Sequence, residues 1–169
     1  MKKRTFRIAI IAIALPVIGL AFLSMTSRRP DHLGVVDGKL APPPSSPNCV
    51  QTQTDSPEHK MSPWEYSGTA AEAKANLITI LEELPRTNIV ESTETYLHAE
   101  AKSLLFRFVD DVEFLIDEQS QLIHFRSASR VGSSDLGVNR KRMEGLRDRF
   151  TSLQSKTADA SSDANPQPE

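Results

Sequence analysis

Apolar residues recur along this chain with two different periods, and the local period predicts the element. Ala73, Leu77, Ile80, Leu81 and Leu84 follow helical spacing behind Thr69-Ala70-Ala71-Glu72, whose Thr and Glu are spaced as a capping box, and Pro85 stops the run. Residues 95–101 alternate instead, with Leu97, Ala99 and Ala101 set against Tyr96, His98 and Glu100, as in a half-buried strand. Ile89-Val90-Glu91 gives a short strand before it, and a third covers roughly Phe106 to Ile116. Leu122 to Ser129 follows across the polar turn Asp117-Glu118-Gln119-Ser120. Met143, Leu146, Phe150 and Leu153, at offsets of 3, 7 and 10, mark one stripe of a second helix. The predicted order is α-β-β-β-β-α. Short connections between consecutive strands favour an α+β fold, a single small domain with an antiparallel four-stranded sheet flanked by two helices.

The N-terminus has a different character. Lys2, Lys3, Arg4 and Arg7 precede an uncharged stretch from Ile8 to Ser27, which Arg28 and Arg29 close. As a helix those residues would extend about 30 Å, enough for a bilayer core and longer than the usual hydrophobic run of a cleaved signal. The expectation is a transmembrane signal anchor over 1–29, with a cleaved signal peptide as the alternative. Basic residues concentrated before the span place the remainder outside the cytoplasm, on the periplasmic side. Residues 30–63 carry seven prolines and little apolar periodicity, so they are expected to form an extended leader. The α+β domain is assigned to 64–154, and the polar stretch 155–169 is expected to be disordered.

Charge narrows the function classes. Residues 1–29 hold six Lys or Arg and no acids, leaving 14 basic against 22 acidic residues beyond, a net of −8. That balance argues against nucleic acid, and against general attraction to anionic membranes, since counterion release needs many cations on one face.

Three segments carry a family likeness: Ser46-Pro47-Asn48-Cys49-Val50; Leu105-Phe106-Arg107-Phe108-Val109-Asp110-Asp111-Val112-Glu113-Phe114; and Arg126-Ser127-Ala128-Ser129-Arg130-Val131-Gly132 continuing through Ser134-Asp135-Leu136-Gly137-Val138-Asn139-Arg140. Over about Leu40 to Phe150 the chain resembles the bacterial and plastid family called domain of unknown function 1499. The resemblance implies no activity, cofactor or catalytic residue. Relatives that carry a cysteine before the Ser-Pro-Asn-Cys motif differ from this chain, which has Pro42, Pro43 and Pro44 there.

The candidate chemistry is correspondingly sparse. Cys49 is the sole cysteine, a free thiol open to structural, intermolecular or reactive roles. Asp110 and Asp111 are strand neighbours that point to opposite faces and so cannot form an acid–base pair. Asp110 shares the parity of Phe106, Phe108, Val112, Phe114 and Ile116, which predicts either a buried carboxylate ion-paired to a cation, with Arg126 and Arg130 as candidates, or a bulge that turns Asp110 outward. If Asn139 caps the second helix, with Val138 and Met143 as its staple, then Arg140, Lys141 and Arg142 crowd a first turn where the macrodipole disfavours cations. Either internal acids such as Asp135 compensate, or Arg126, Arg130, Asp135, Asn139, Arg140 and Arg142 surround an anionic ligand. His32, His59, His98 and His124 lack metal-ligand spacing, although His98 and His124 fall on candidate neighbouring strands, and neither a metal nor a cofactor is expected.

The expected function is a membrane-tethered extracytoplasmic binding or interaction module that recognises an anionic small molecule, or an envelope protein partner, at the 130–142 loop. The alternatives are a metal-free acid–base enzyme built from Asp110, Asp111, His98 and Arg130, and a purely structural envelope protein. No catalytic motif is present, so the balance leans away from an enzyme.

Overall fold

The structure is a computed structural model and describes residues 14–15, 17–25 and 27–163. Residues 17–25 are helical. The expected membrane-spanning stretch 8–27 lies partly outside the described residues, and among those described no helix is long and apolar enough to cross a membrane.

The strands are β1 (Val35–Val36), β2 (Lys39–Leu40), β3 (Cys49–Gln51), β4 (Trp64–Glu65), β5 (Thr87–Ser92), β6 (Tyr96–Lys102), β7 (Val109–Asp117) and β8 (Leu122–Ser129). The helices α1 (Ala70–Glu82) and α2 (Val138–Asp163) lie between β4 and β5 and after β8. The fold is α+β, with a main sheet in the order β3-β8-β7-β6-β5, while β4 pairs with the far end of β8. All these pairings are antiparallel.

The sheet therefore has six strands rather than the four expected. The two additions, β3 and β4, are three and two residues long, too short to display an alternating period, and β3 comes from the proline-containing stretch. β7 begins at Val109, later than expected, because Ser103–Phe108 turns tightly: Ser103 donates to the Phe108 carbonyl and Arg107 takes φ 56°. The second helix continues to Asp163, past the boundary expected at 154; Ser155 and Thr157 donate their hydroxyls to the carbonyls of Thr151 and Leu153.

α1 begins as its sequence dictates. The Thr69 side chain accepts from the Glu72 N–H, and the Glu72 carboxylate accepts from the Thr69 N–H, closing the capping box. Its stripe of Ala73, Leu77, Ile80 and Leu81 packs with Met143, Leu146 and Phe150 of α2 against Leu97, Val112, Phe114, Ile116, Ile123 and Phe125 of the sheet. Trp64 fills the centre of this core, its ring centroid 5.5, 5.2 and 5.8 Å from those of Phe114, Phe125 and Phe150.

The opposite sheet face is covered as well. Residues 29–42, including the β1–β2 hairpin, run across it as a strap, and Leu40 packs on Tyr96 and Leu115. Arg29 clasps Glu91 at 2.8 Å, the Gly34 N–H donates to Glu113 Oε1 at 2.8 Å, and the Leu40 N–H donates to Gln53 Oε1 at 2.9 Å.

Trp64→Ala removes the piece that three aromatic rings share, and is expected to cost about 3–5 kcal/mol of unfolding free energy in urea titrations. A change below about 1 kcal/mol would mean that the core does not close around this ring.

Candidate functional site

Register and alternation together build a polar row across the strap-covered face. Gln51 of β3 pairs with Arg126 of β8, Arg126 with Glu113 of β7, and Glu113 with His98 of β6. All four side chains point away from the helices, and all are buried, from 0% to 3% exposed. Such depth demands compensation. Glu113 obtains it by accepting from Tyr96 Oη at 2.8 Å, Arg126 Nη1 at 3.1 Å and the Gly34 N–H. Burial, followed by the charge of Glu113, pushes the Tyr96 phenol up, so it stays protonated and donates.

Beside this row lies a second cluster. Asp111 accepts from His98 Nε2 at 2.8 Å and from Arg130 Nε and Nη2 at 2.8 and 2.7 Å, and Arg130 also reaches Glu100 at 2.5 Å. Burial works to raise the Asp111 carboxyl, but the hydrogen bonds and charges of Arg130 and His98 outweigh it and hold it below the usual carboxylate range. The Asp111 hydrogen bonds likewise push the Arg130 guanidinium up. The forked Arg130–Asp111 contact is the strong, geometrically specific kind.

Not every polar atom on this face is satisfied. Gln51 Oε1, His98 Nδ1 and Arg126 Nε are buried without a hydrogen-bond partner, three atoms in the one row. Gln51 also lines a cavity of about 430 Å³ between sheet and strap, bounded by Asp31–Gly34, Val36, Lys39–Pro42 and Gln53.

The residues expected to bind an anion separate into different tasks. Arg126 bonds Glu113, and Arg130 bonds Asp111 and Glu100. Arg142 reaches through the helix-side layer to Asp110, so the buried Asp110 has a helical partner instead of Arg126 or Arg130. Arg140 donates to the carbonyls of Glu58 and Lys60. Asp135 is the true cap of α2, accepting from the Gly137 and Asn139 N–H groups at 3.0 and 2.7 Å. Its carboxylate is thus the anion that the basic first turn requires.

Asn139 lies within α2 and is not its cap, and Val138 is half exposed, so it forms no staple with Met143. The fully buried Asn139 amide accepts from Ser127 Oγ and Arg142 Nη1 and donates to the Asn48 carbonyl and Ser129 Oγ, fastening the helix to β3 and β8. Asp110 and Asp111 occupy opposite faces, so His98, Asp111 and Arg130 converge without Asp110. His98 and His124 lie on β6 and β8 with β7 between them, and His124 contacts Thr52 instead. Cys49 is free and buried, and burial pushes its thiol up to about 11, so it is held protonated. Among the described residues no group of His, Cys, Asp and Glu could hold a metal ion.

Gln51, Glu113 and Tyr96 did not stand out in the sequence. The available signal was parity: Tyr96, His98, Asp111, Glu113 and Arg126 all alternate with core residues, on one face, with both signs of charge. A polar face reads as solvated unless something covers it, and the cover comes from a stretch without periodicity.

What fold and face define is an α+β domain with two buried layers, one apolar and one ionic. A family model described as Protein of unknown function (DUF1499) matches residues 39–150. The chain belongs to that family, whose matched region includes the Gln51–Arg126–Glu113–His98 row and part of the strap. Neither the curated proteins nor the solved structures contain a match to it.

Removing Arg130 leaves the buried Asp111 with less charge compensation and the half-buried Glu100 without this partner, so Arg130→Ala is expected to lose about 3–5 kcal/mol in urea titrations. Asp111 has a lowered folded pKa, so its contribution is complete above the unfolded value near 3.9 and is lost as pH falls through the folded value. Unfolding free energy should therefore drop steeply below about pH 4, and Asp111→Asn should flatten that drop. Cys49 should resist Ellman's reagent in the native chain and react in urea; rapid native labelling would contradict its burial.

Proposed function

We propose that this protein is a non-catalytic binding module, held outside the cytoplasm at a membrane by its N-terminal segment, and that its ligand lies under the strap against Gln51. The single observation that carries this is the alignment of three unpartnered buried atoms, Gln51 Oε1, His98 Nδ1 and Arg126 Nε, in one row whose end borders a cavity. A buried polar atom left alone costs about 1–3 kcal/mol, and a ligand donating to Gln51 Oε1, the one of the three whose residue lines the cavity, would offset that.

The chemistry of the wall narrows the class. The guanidiniums of Arg126 and Arg130 already have carboxylate partners, and the wall itself carries one charge of each sign, Asp31 and Lys39, so it does not favour an anion. Gln51 offers its amide oxygen, the Gln53 amide being already bonded to Leu40 and Gly38, whereas Leu33, Val36, Leu40 and Pro42 offer apolar surface. The fit is to a small, uncharged molecule with one hydroxyl or amide end and one apolar end, and the volume suits such a ligand. This site is preferred to the start of α2, where Asp135 occupies the N–H groups and Arg142 is committed to Asp110.

One observation favours an acid–base enzyme: His98 is oriented by Asp111 and keeps Nδ1 free, as a general base would. Its complete burial beneath the strap, with no nucleophile in contact, weighs the other way.

Native mass spectrometry of the detergent-solubilised full chain, released gently from cells, tests the binding reading. The expected result is a bound small molecule that is retained by the native protein and lost in Gln51→Leu. A bare native protein would leave only water in the cavity and overturn the proposal. Conversion of the released molecule by fresh protein would favour the enzyme.

A further inference from the structure

The cavity beneath the strap stays open because the backbone around it is pinned. The Gly34 N–H is tied to Glu113, and the Gln53 amide accepts from the Leu40 N–H while donating to the Gly38 carbonyl. Leu40 is itself buried against Tyr96 and Leu115. Between these anchors Val35 to Lys39 all remain exposed, so none of their side chains fills the space, and about 430 Å³ is left between strap and sheet. A preformed cavity of this size lies in the range that small ligands occupy.

Its wall is graded. Gln51 is the most buried residue of the lining, 1% exposed, and its Oε1 has no partner. Leu40 is buried, Leu33 and Ala41 are half-buried, and the charged Asp31 and Lys39 stand exposed at the rim. An acceptor at the floor selects a donor. Carboxylates, esters, ketones and ethers have no proton to give at neutral pH. An ammonium donates, but its charge would be left without a free carboxylate, since Glu113 is engaged by Gly34, Tyr96 and Arg126. A primary amide donates once, and its second N–H and its carbonyl would lose their water among Leu33, Leu40 and Ala41. A hydroxyl brings one donor and the least surplus polarity. The apolar residues of the wall are all aliphatic and offer no aromatic face for a ring to stack on.

We propose that the cavity takes an aliphatic alcohol, whose hydroxyl donates to Gln51 Oε1 and whose chain lies along Leu33, Leu40 and Ala41 toward the rim. The assignment rests on the binding reading of the same cavity and narrows it, from a hydroxyl or amide to a hydroxyl, and from an apolar end to an alkyl chain. Each methylene withdrawn from water against this wall tightens binding about four-fold. The hydroxyl contributes selectivity, since an ether of the same size leaves Oε1 unpaired.

Photolabelling tests this in the full chain, held in phosphatidylcholine nanodiscs. A diazirine analogue of n-octanol is expected to leave its adduct on strap residues between Asp31 and Pro42, located by tandem mass spectrometry. Competitors are compared at equal free aqueous concentration, so that partition into lipid cancels. Protection by n-butanol, n-pentanol and n-hexanol should strengthen about four-fold per added methylene. Methyl pentyl ether, the isomer of n-hexanol without a donor, should protect about ten-fold less well. In Gln51→Leu that gap should close while labelling persists, and the comparison in the native chain does not depend on how the variant folds. Equal protection by the ether, or better protection by hexanamide or hexanoate, would overturn the alcohol and leave another ligand class in the cavity. An adduct absent from the strap would overturn it too, whereas the binding reading falls only if the native protein also comes from cells bare.

Discussion

Each residue of β7 must send its side chain to one face of the sheet or the other, and the rest of the molecule is organised around that constraint. Val112, Phe114 and Ile116 go to the helices, while Asp111 and Glu113 go to the strap. Asp110 is the exception on the apolar side, and it is tolerated there because α2 brings Arg142 to meet it. A one-residue slip of β7 would exchange the two faces, placing both strap-side carboxylates among Trp64 and Phe150. The ion pairs thus serve register as well as stability, since each is formed only when β6, β7 and β8 align correctly.

How much of this was legible in the sequence depended on whether a signal was local. The capping box of α1, its stripe, and the period-two alternation of β6 are contained within short windows, and the corresponding elements form there. The parity of Asp110 also showed in advance that it shares a face with Phe114. Its partner did not, because Arg142 is 32 residues away and is delivered by helix packing. Likewise, β3 and β4 are too short to carry a period, and their pairing with β8 is decided by tertiary contacts.

The candidate site was the least legible part for the same reason. Expectation centred on the basic stretch from Arg126 to Arg142, since charge density is visible in a sequence and charge pairing is not. In three dimensions that stretch supplies partners to acids on β6 and β7, and its own Asp135 satisfies the helix start. What the strap-covered face leaves unpaired among the described residues is an amide oxygen, an imidazole nitrogen and a guanidine nitrogen, gathered by register from β3, β6 and β8. None of those residues has a sequence neighbour that would single it out.

The strap has a mechanical consequence. Its attachments follow one another along the chain: Arg29 to Glu91, Gly34 to Glu113, then Leu40 to Gln53. A pull on residue 28 therefore loads these attachments in succession, peeling them like a zip, whereas β3 beyond them is held laterally by β8 and by the Asn48–Asn139 bond. The ceiling of the cavity therefore lies on the load path between residue 28 and the sheet, ahead of β3 and of the aromatic core around Trp64.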